Sequence, residues 1–119
     1  MIEDSNLPKP IETIGQTRKA IYFMPWGEIY DRIRPIDKKG YMVYGIPKSS
    51  EPILDLFEHA TIVDDPEDAT FFVDDIIRSG QTKKYFMNKY PCRFFLALAD
   101  LNDKEFNNYQ DITFPWENN

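Results

Sequence analysis

Short runs of apolar residues recur along the chain: Ile21-Tyr22-Phe23, Tyr41-Met42-Val43-Tyr44, Thr61-Ile62-Val63, Thr70-Phe71-Phe72-Val73, and Arg93 to Ala99 with Phe94, Phe95, Leu96, Ala97 and Leu98. The longer runs are of strand length and apolar throughout, the pattern of strands buried on both faces. Between them the period changes. Trp26, Ile29, Tyr30 and Ile33 recur at helical spacing, predicting a helix over 26–33 that Pro35 stops, and Asp37-Lys38-Lys39-Gly40 reads as a turn. Ser49-Ser50-Glu51-Pro52 opens a second helix with Ile53, Leu54, Leu56 and Phe57 as its buried side, and a third is predicted over about 81–89. Asp64 to Asp68 is an acidic turn, and the tail is polar except for Tyr109, Ile112, Phe114 and Trp116.

Apolar strands separated by helices predict one α/β domain over residues 20–119, with a mostly parallel central sheet flanked by helices, preceded by a polar, Pro-containing arm over residues 1–19. In such sheets ligands bind beyond the carboxyl ends of the strands. Two loops fall there: the one after Tyr44 and the one after Val73.

Composition narrows the function. The chain has 119 residues, 42% of them hydrophobic and 15% aromatic, enough for the core of a single domain. Its formal charge of −6 argues against DNA or RNA as partners, since phosphate neutralisation supplies most nucleic-acid affinity. A local basic pocket for one phosphorylated metabolite is compatible with that charge. No apolar run approaches the roughly 18 residues of a membrane span, and Met1-Ile2-Glu3-Asp4-Ser5 lacks the layout of a secretory signal. With Cys92 as the single cysteine, no intrachain disulfide or cysteine-based zinc site can form, and a reducing cytoplasm is expected. Cys92 and the single histidine, His59, are too few to suggest a nucleophile–base triad.

The chemistry concentrates in Val73-Asp74-Asp75-Ile76-Ile77-Arg78-Ser79-Gly80-Gln81-Thr82. A buried strand delivers two adjacent carboxylates, and a loop with hydroxyls and one glycine then enters a helix. Backbone N–H groups of such a loop and the helix N-terminus cradle a phosphate. Ionised carboxylates accept hydrogen bonds, which suits Asp74 and Asp75 to sugar hydroxyls or a hydrated divalent metal. Taken singly, each piece has a plainer reading: Asp-Asp after a strand as a solvated turn, Ser-Gly-Gln-Thr as a helix cap. Their ordered combination describes a site for ribose 5-phosphate.

This segment resembles the diphosphoribosyl-binding signature of the type I phosphoribosyltransferases: hydrophobics, two acids, hydrophobics, then Ser/Thr-Gly-x-Thr. Arg78 departs from it, standing where a small or acidic residue is common. Pro47-Lys48-Ser49-Ser50, after Tyr44-Gly45-Ile46, occupies the place of the family's pyrophosphate loop, with Lys48 matching its basic residue and Ser49 and Ser50 replacing a usual Gly-Gly. Within the family the likeness is greatest to the bacterial xanthine-guanine phosphoribosyltransferases, in a shortened form, and extends loosely from Ile21 to Trp116. Phe114-Pro115-Trp116-Glu117 resembles their C-terminal Gln-Pro-Trp-Asp.

The resemblance implies transfer of the phosphoribosyl group from phosphoribosyl pyrophosphate to a nucleobase, assisted by Mg²⁺ at Asp74 and Asp75. Lys48 would stabilise the pyrophosphate, Ser79, Gly80, Gln81 and Thr82 would hold the 5-phosphate, and Ile77 and Arg78 would also contact the substrate. Phe114 and Trp116 would stack on the base or else cover the last strand. Asp100 falls where those relatives place the lysine that reads a 6-oxo group, so that preference does not carry over. The family's long loop is also missing, because only Asp64 to Asp68 separates Val63 from the next strand. A poor or restricted catalyst is therefore expected, or a homo-oligomer in which a partner covers the site. The alternative is a non-catalytic module of the same fold that senses or sequesters a phosphoribosyl metabolite or contacts another protein.

Overall fold

The computed structural model describes residues 20–117, so the arm expected over residues 1–19 lies outside them. In chain order, β1 spans Ala20–Phe23, α1 Trp26–Lys38, β2 Met42–Gly45, α2 Glu51–Leu54, β3 Thr61–Ile62, β4 Phe71–Ile77, α3 Gln81–Lys89, β5 Phe94–Asp100 and β6 Tyr109–Thr113; 3-10 turns occupy Pro66–Asp68 and Pro115–Glu117. The strands of the described residues pair in parallel throughout. They form two sheets: a four-stranded one in the order β3-β2-β4-β5, and a two-stranded one of β1 and β6. The single central sheet expected from the pattern is thus divided. β1 pairs with a strand from the polar tail, where Ile112 is buried and the rings of Tyr109 and Tyr22 lie 5.1 Å apart.

Adjacent residues of a strand face opposite sides of the sheet, and the core divides accordingly. Val43, Val73 and Leu98 are fully buried with Ile29, Ile33 and Ile36 of α1. Phe72, next in the chain to Val73, faces α3, its ring 5.3 Å from Phe86 and 5.7 Å from Tyr90. Helices therefore cover both faces of the four-stranded sheet.

Three boundaries differ from the sequence pattern. α1 does not stop at Pro35 but runs through it to Lys38. Pro35 removes one N–H from the helix ladder, while Ile36 beyond it extends the buried stripe of Ile29 and Ile33. α2 is a single turn and ends before Leu56 and Phe57. There the Asp37 carboxylate accepts the backbone N–H groups of Glu58, His59 and Ala60 at 2.7–3.1 Å, drawing the chain off the helical path. Finally, β4 continues through the acid pair to Ile77, because β5 stays in register beside it, Asp74 opposite Ala97 and Ile77 opposite Asp100.

The acidic turn between β3 and β4 is a short, fastened connection. Asp65 caps it by accepting the N–H of Glu67 at 2.9 Å. The Arg93 guanidinium donates to the carbonyls of Glu67 at 2.6 Å, Ala69 at 3.1 Å and Pro91 at 3.0 Å.

Candidate functional site

The carboxyl end of β4 runs directly into Arg78, Ser79 and Gly80, and then into α3. Gly80 is the N-cap, with φ +86, a left-handed conformation that costs residues with a Cβ about 1–2 kcal/mol. Its own missing side chain leaves α3 without a side-chain cap, and helix geometry leaves the first N–H groups without intrahelical acceptors. Ser79 serves one of them: its Oγ accepts the N–H of Gln81 at 3.3 Å.

A cleft of about 220 Å³ opens here, lined by Asp74, Ile76, Ile77, Arg78, Ser79, Gly80, Thr82 and Lys83. Most of the residues singled out from the sequence for the 5-phosphate thus meet in one place. Gln81 is exposed and does not line it. Lys83 is an addition that the signature did not include. It left a readable signal in the sequence: Lys83 and Lys84 sit in the first turn of α3, which contains no acidic residue. Cations at a helix N-terminus oppose the macrodipole by some tenths of a kcal/mol each. Such a local conflict is expected where an anion binds.

The two acids have different surroundings. Asp74 is 7% exposed and lines the cleft. Its Oδ1 accepts the Ser49 hydroxyl at 2.8 Å and the N–H of Asp75 at 2.8 Å. Asp75 accepts the N–H of Ile76 at 2.6 Å. Burial, and next the neighbouring Asp74 carboxylate, push its pKa up to about 6, with a smaller contribution from Glu117 in the C-terminal turn. A carboxyl poised near neutrality, as Asp75 is, can release its proton when a cation arrives. Among the described residues no three His, Cys, Asp or Glu side chains are grouped to hold a metal. Mg²⁺ ordinarily takes one or two carboxylates plus phosphate oxygens and water; Asp74, in the cleft wall, fits that role, and Asp75 stands next to it without lining the cleft.

The loop after β2 lies beside this site but is built differently. Its Pro47–Lys48 peptide is cis. Ser50 is 1% exposed, and its hydroxyl donates to the Ile46 carbonyl at 2.6 Å. Gly45 is required by that packing, since a Cβ there would lie 2.4 Å from Ser50 Oγ and 2.6 Å from Leu54 Cδ1. Ser49 is the link to β4 through Asp74. Pro47 and Ser50 line a separate groove of about 250 Å³ with Tyr44, Leu54, Ile62 and Val63. Lys48 is exposed and lines neither cavity.

Asp100 ends β5 opposite Ile77. Its Oδ1 accepts the backbone and side-chain N–H groups of Asn102 at 2.9 and 3.1 Å, and the same Asn102 amide donates to the Arg78 carbonyl at 3.0 Å. Phe114 is 1% exposed in the core, its ring stacked on Trp116 at 4.9 Å, and Trp116 in turn meets Trp26 at 5.8 Å. Phe114 belongs to the main core and Trp116 packs against it, and none of these rings lines the cleft. His59 is exposed beside a cavity of about 280 Å³ formed by α1 and the chain after α2, which holds none of the signature residues.

The sequence matches no protein-family model, and no curated protein is significantly similar to it. No helix of the described residues is long and apolar enough to cross a membrane.

Proposed function

We propose that the protein binds a 5-phosphorylated ribose, as phosphoribosyl pyrophosphate or a nucleoside 5-monophosphate, in the cleft between β4 and α3, and transfers the phosphoribosyl group to a nucleobase. One observation carries this reading: the cleft joins a buried carboxylate to a helix N-terminus whose N-cap, Gly80, has no side-chain acceptor and whose first turn carries lysines. A phosphate there satisfies the N–H groups and reverses the conflict between lysines and macrodipole. Asp74 and Asp75 accept the ribose hydroxyls. The same carboxylates would hold hydrated Mg²⁺, which supplies charge neutralisation at the diphosphate leaving group. Lys48, on the exposed loop beside them, reaches the pyrophosphate end. Asp100 accepts hydrogen bonds and cannot donate to a carbonyl, so it favours a base presenting an amino group.

A second reading, a binding module without turnover, is favoured by two contacts. Ser49 occupies one oxygen of Asp74, and Arg93 fastens the short turn that stands where the resembled enzymes carry a closing loop. Without such a cover, water screens charge developing at the anomeric carbon.

Incubation with phosphoribosyl pyrophosphate, Mg²⁺ and a panel of nucleobases separates the readings. Pyrophosphate release with one base is the expected result. Tight binding without release by any base supports the module, and absence of both overturns the site.

A further inference from the structure

Arg78 stands in the wall of the cleft, yet its guanidinium is turned elsewhere. Its Nη1 lies 2.9 Å from Oδ1 of Asp111, on β6 in the other sheet. Both backbones are fixed. The Arg78 carbonyl accepts the Asn102 amide, the preceding Ile77 carbonyl accepts the N–H of Leu101 at 3.0 Å, and Asp111 pairs with Ile21 while its carboxylate accepts the N–H of Ile112 at 2.8 Å. The arginine side chain is 56% exposed, against a carboxylate side chain that is 39% exposed, so water can reach the pair.

We propose that Asp111 is a built-in counter-ion which holds Arg78 against β6, and that a phosphomonoester dianion entering the cleft takes Arg78 from it. The inference rests on reading the cleft as a phosphate site and adds the residue pair that sets its selectivity for dianions. A guanidinium offers five donors in a fork that matches two phosphate oxygens. In the cleft the dianion meets Arg78, Lys83 and the α3 N-terminus together, whereas Asp111 offers Arg78 one negative charge. Exposed ion pairs of this kind are weak, so Arg78 is released at a small cost. A monoanion lacks the second charge that repays the exchange. Asp111 thus lowers affinity for every anion slightly and leaves dianions favoured.

Calorimetric titration with ribose 5-phosphate tests this in four proteins: wild type, Asp111→Asn, Arg78→Gln and the double variant. Asparagine keeps an acceptor for the Ile112 N–H, and thermal melts establish that each variant is folded. Asp111→Asn is expected to tighten binding about two- to five-fold, the range of an exposed pair. Arg78→Gln weakens it roughly ten-fold, as for loss of a charged hydrogen bond. In the Arg78→Gln background, Asp111→Asn changes nothing. Equal tightening in both backgrounds reveals a general field effect and overturns the proposal. So does binding by wild type that Asp111→Asn leaves unchanged, in which case the phosphate cleft itself stands. If none of the four binds, cleft and counter-ion fail together.

Discussion

The loop that ends β4 and the loop that ends β2 leave neighbouring parallel strands at the same edge of one sheet, yet they are finished in opposite ways. After β4 the chain passes through Gly80 in a left-handed conformation, gives α3 an N-cap without a side chain, and gathers Arg78, Thr82 and Lys83 around a cleft. After β2 the loop's hydroxyls turn onto the protein itself, Ser50 buried on the Ile46 carbonyl and Ser49 bonded to Asp74, and the groove beside them has no lysine or arginine among the described residues of its lining. One loop leads into a helix N-terminus whose first N–H groups lack intrahelical acceptors, and in the other both serine hydroxyls are bonded to the protein. Equivalent positions in a parallel sheet confer a place to bind; what the side chains do there decides whether anything can.

The largest expected effect separates the loops by charge. Replacing Arg78 and Lys83 together by Ala should weaken ribose 5-phosphate binding by ten- to a hundred-fold, because hydrogen bonds to charged groups contribute about 1.5–3 kcal/mol each and an exposed site realises part of that. Lys48→Ala, on the other loop, should leave that affinity unchanged and reduce only turnover of phosphoribosyl pyrophosphate. Equal losses from both changes would erase the distinction.

Next come the glycines. Gly45→Ala forces a Cβ to within 2.4 Å of the buried Ser50 Oγ, an overpacking that costs about 1–3 kcal/mol. Gly80→Ala meets no atom within 4 Å, and its cost of about 1–2 kcal/mol is conformational. Urea titration measures both. Adding Ser50→Ala should rescue Gly45→Ala, and no serine change should rescue Gly80→Ala.

Asp75 gives a pH signature. Its folded pKa, near 6, lies above the ordinary value of 3.8, so the folded state binds the proton more tightly than the unfolded chain. Its contribution is fully favourable below about pH 4, is lost as pH rises toward 6, and stays lost above that. The melting temperature should fall across that window, and Asp75→Asn should flatten the fall and raise the melting temperature by a few degrees at pH 7.5. A fall that persists in Asp75→Asn would place the titration elsewhere. The smallest effect is Ser49→Ala, which removes one of the two donors to Asp74 Oδ1 and should cost about 0.5–1.5 kcal/mol of stability.

Much of this was readable from the amino-acid pattern because burial on two faces leaves a local trace. Val43, Phe72, Val73 and Leu98 belong to uninterrupted apolar runs, and their strands pair in parallel as such runs imply. The features that were not readable depend on partners distant in sequence. β6 has the polar sequence Tyr-Gln-Asp-Ile-Thr and becomes a strand by pairing with β1. Asp74 and Asp75 are poor strand formers, and β5 carries the ladder past them. In the cleft, Ser79, Gly80 and Thr82 were legible as a signature, from which Arg78 departs. Lys83 needed the helix boundary, and the contacts of Ser49 with Asp74 and Arg78 with Asp111 span 25 and 33 residues of chain, distances at which no periodicity speaks.

The proposed function requires the loop after β4 to receive a phosphorylated ribose beside Asp74 and its neighbour Asp75. Calorimetric titration of the wild-type protein with phosphoribosyl pyrophosphate, with and without Mg²⁺, tests it most directly. Binding that Mg²⁺ strengthens, and that Asp74→Asn with Asp75→Asn weakens, is the predicted result; no detectable heat at millimolar ligand in either condition would contradict it.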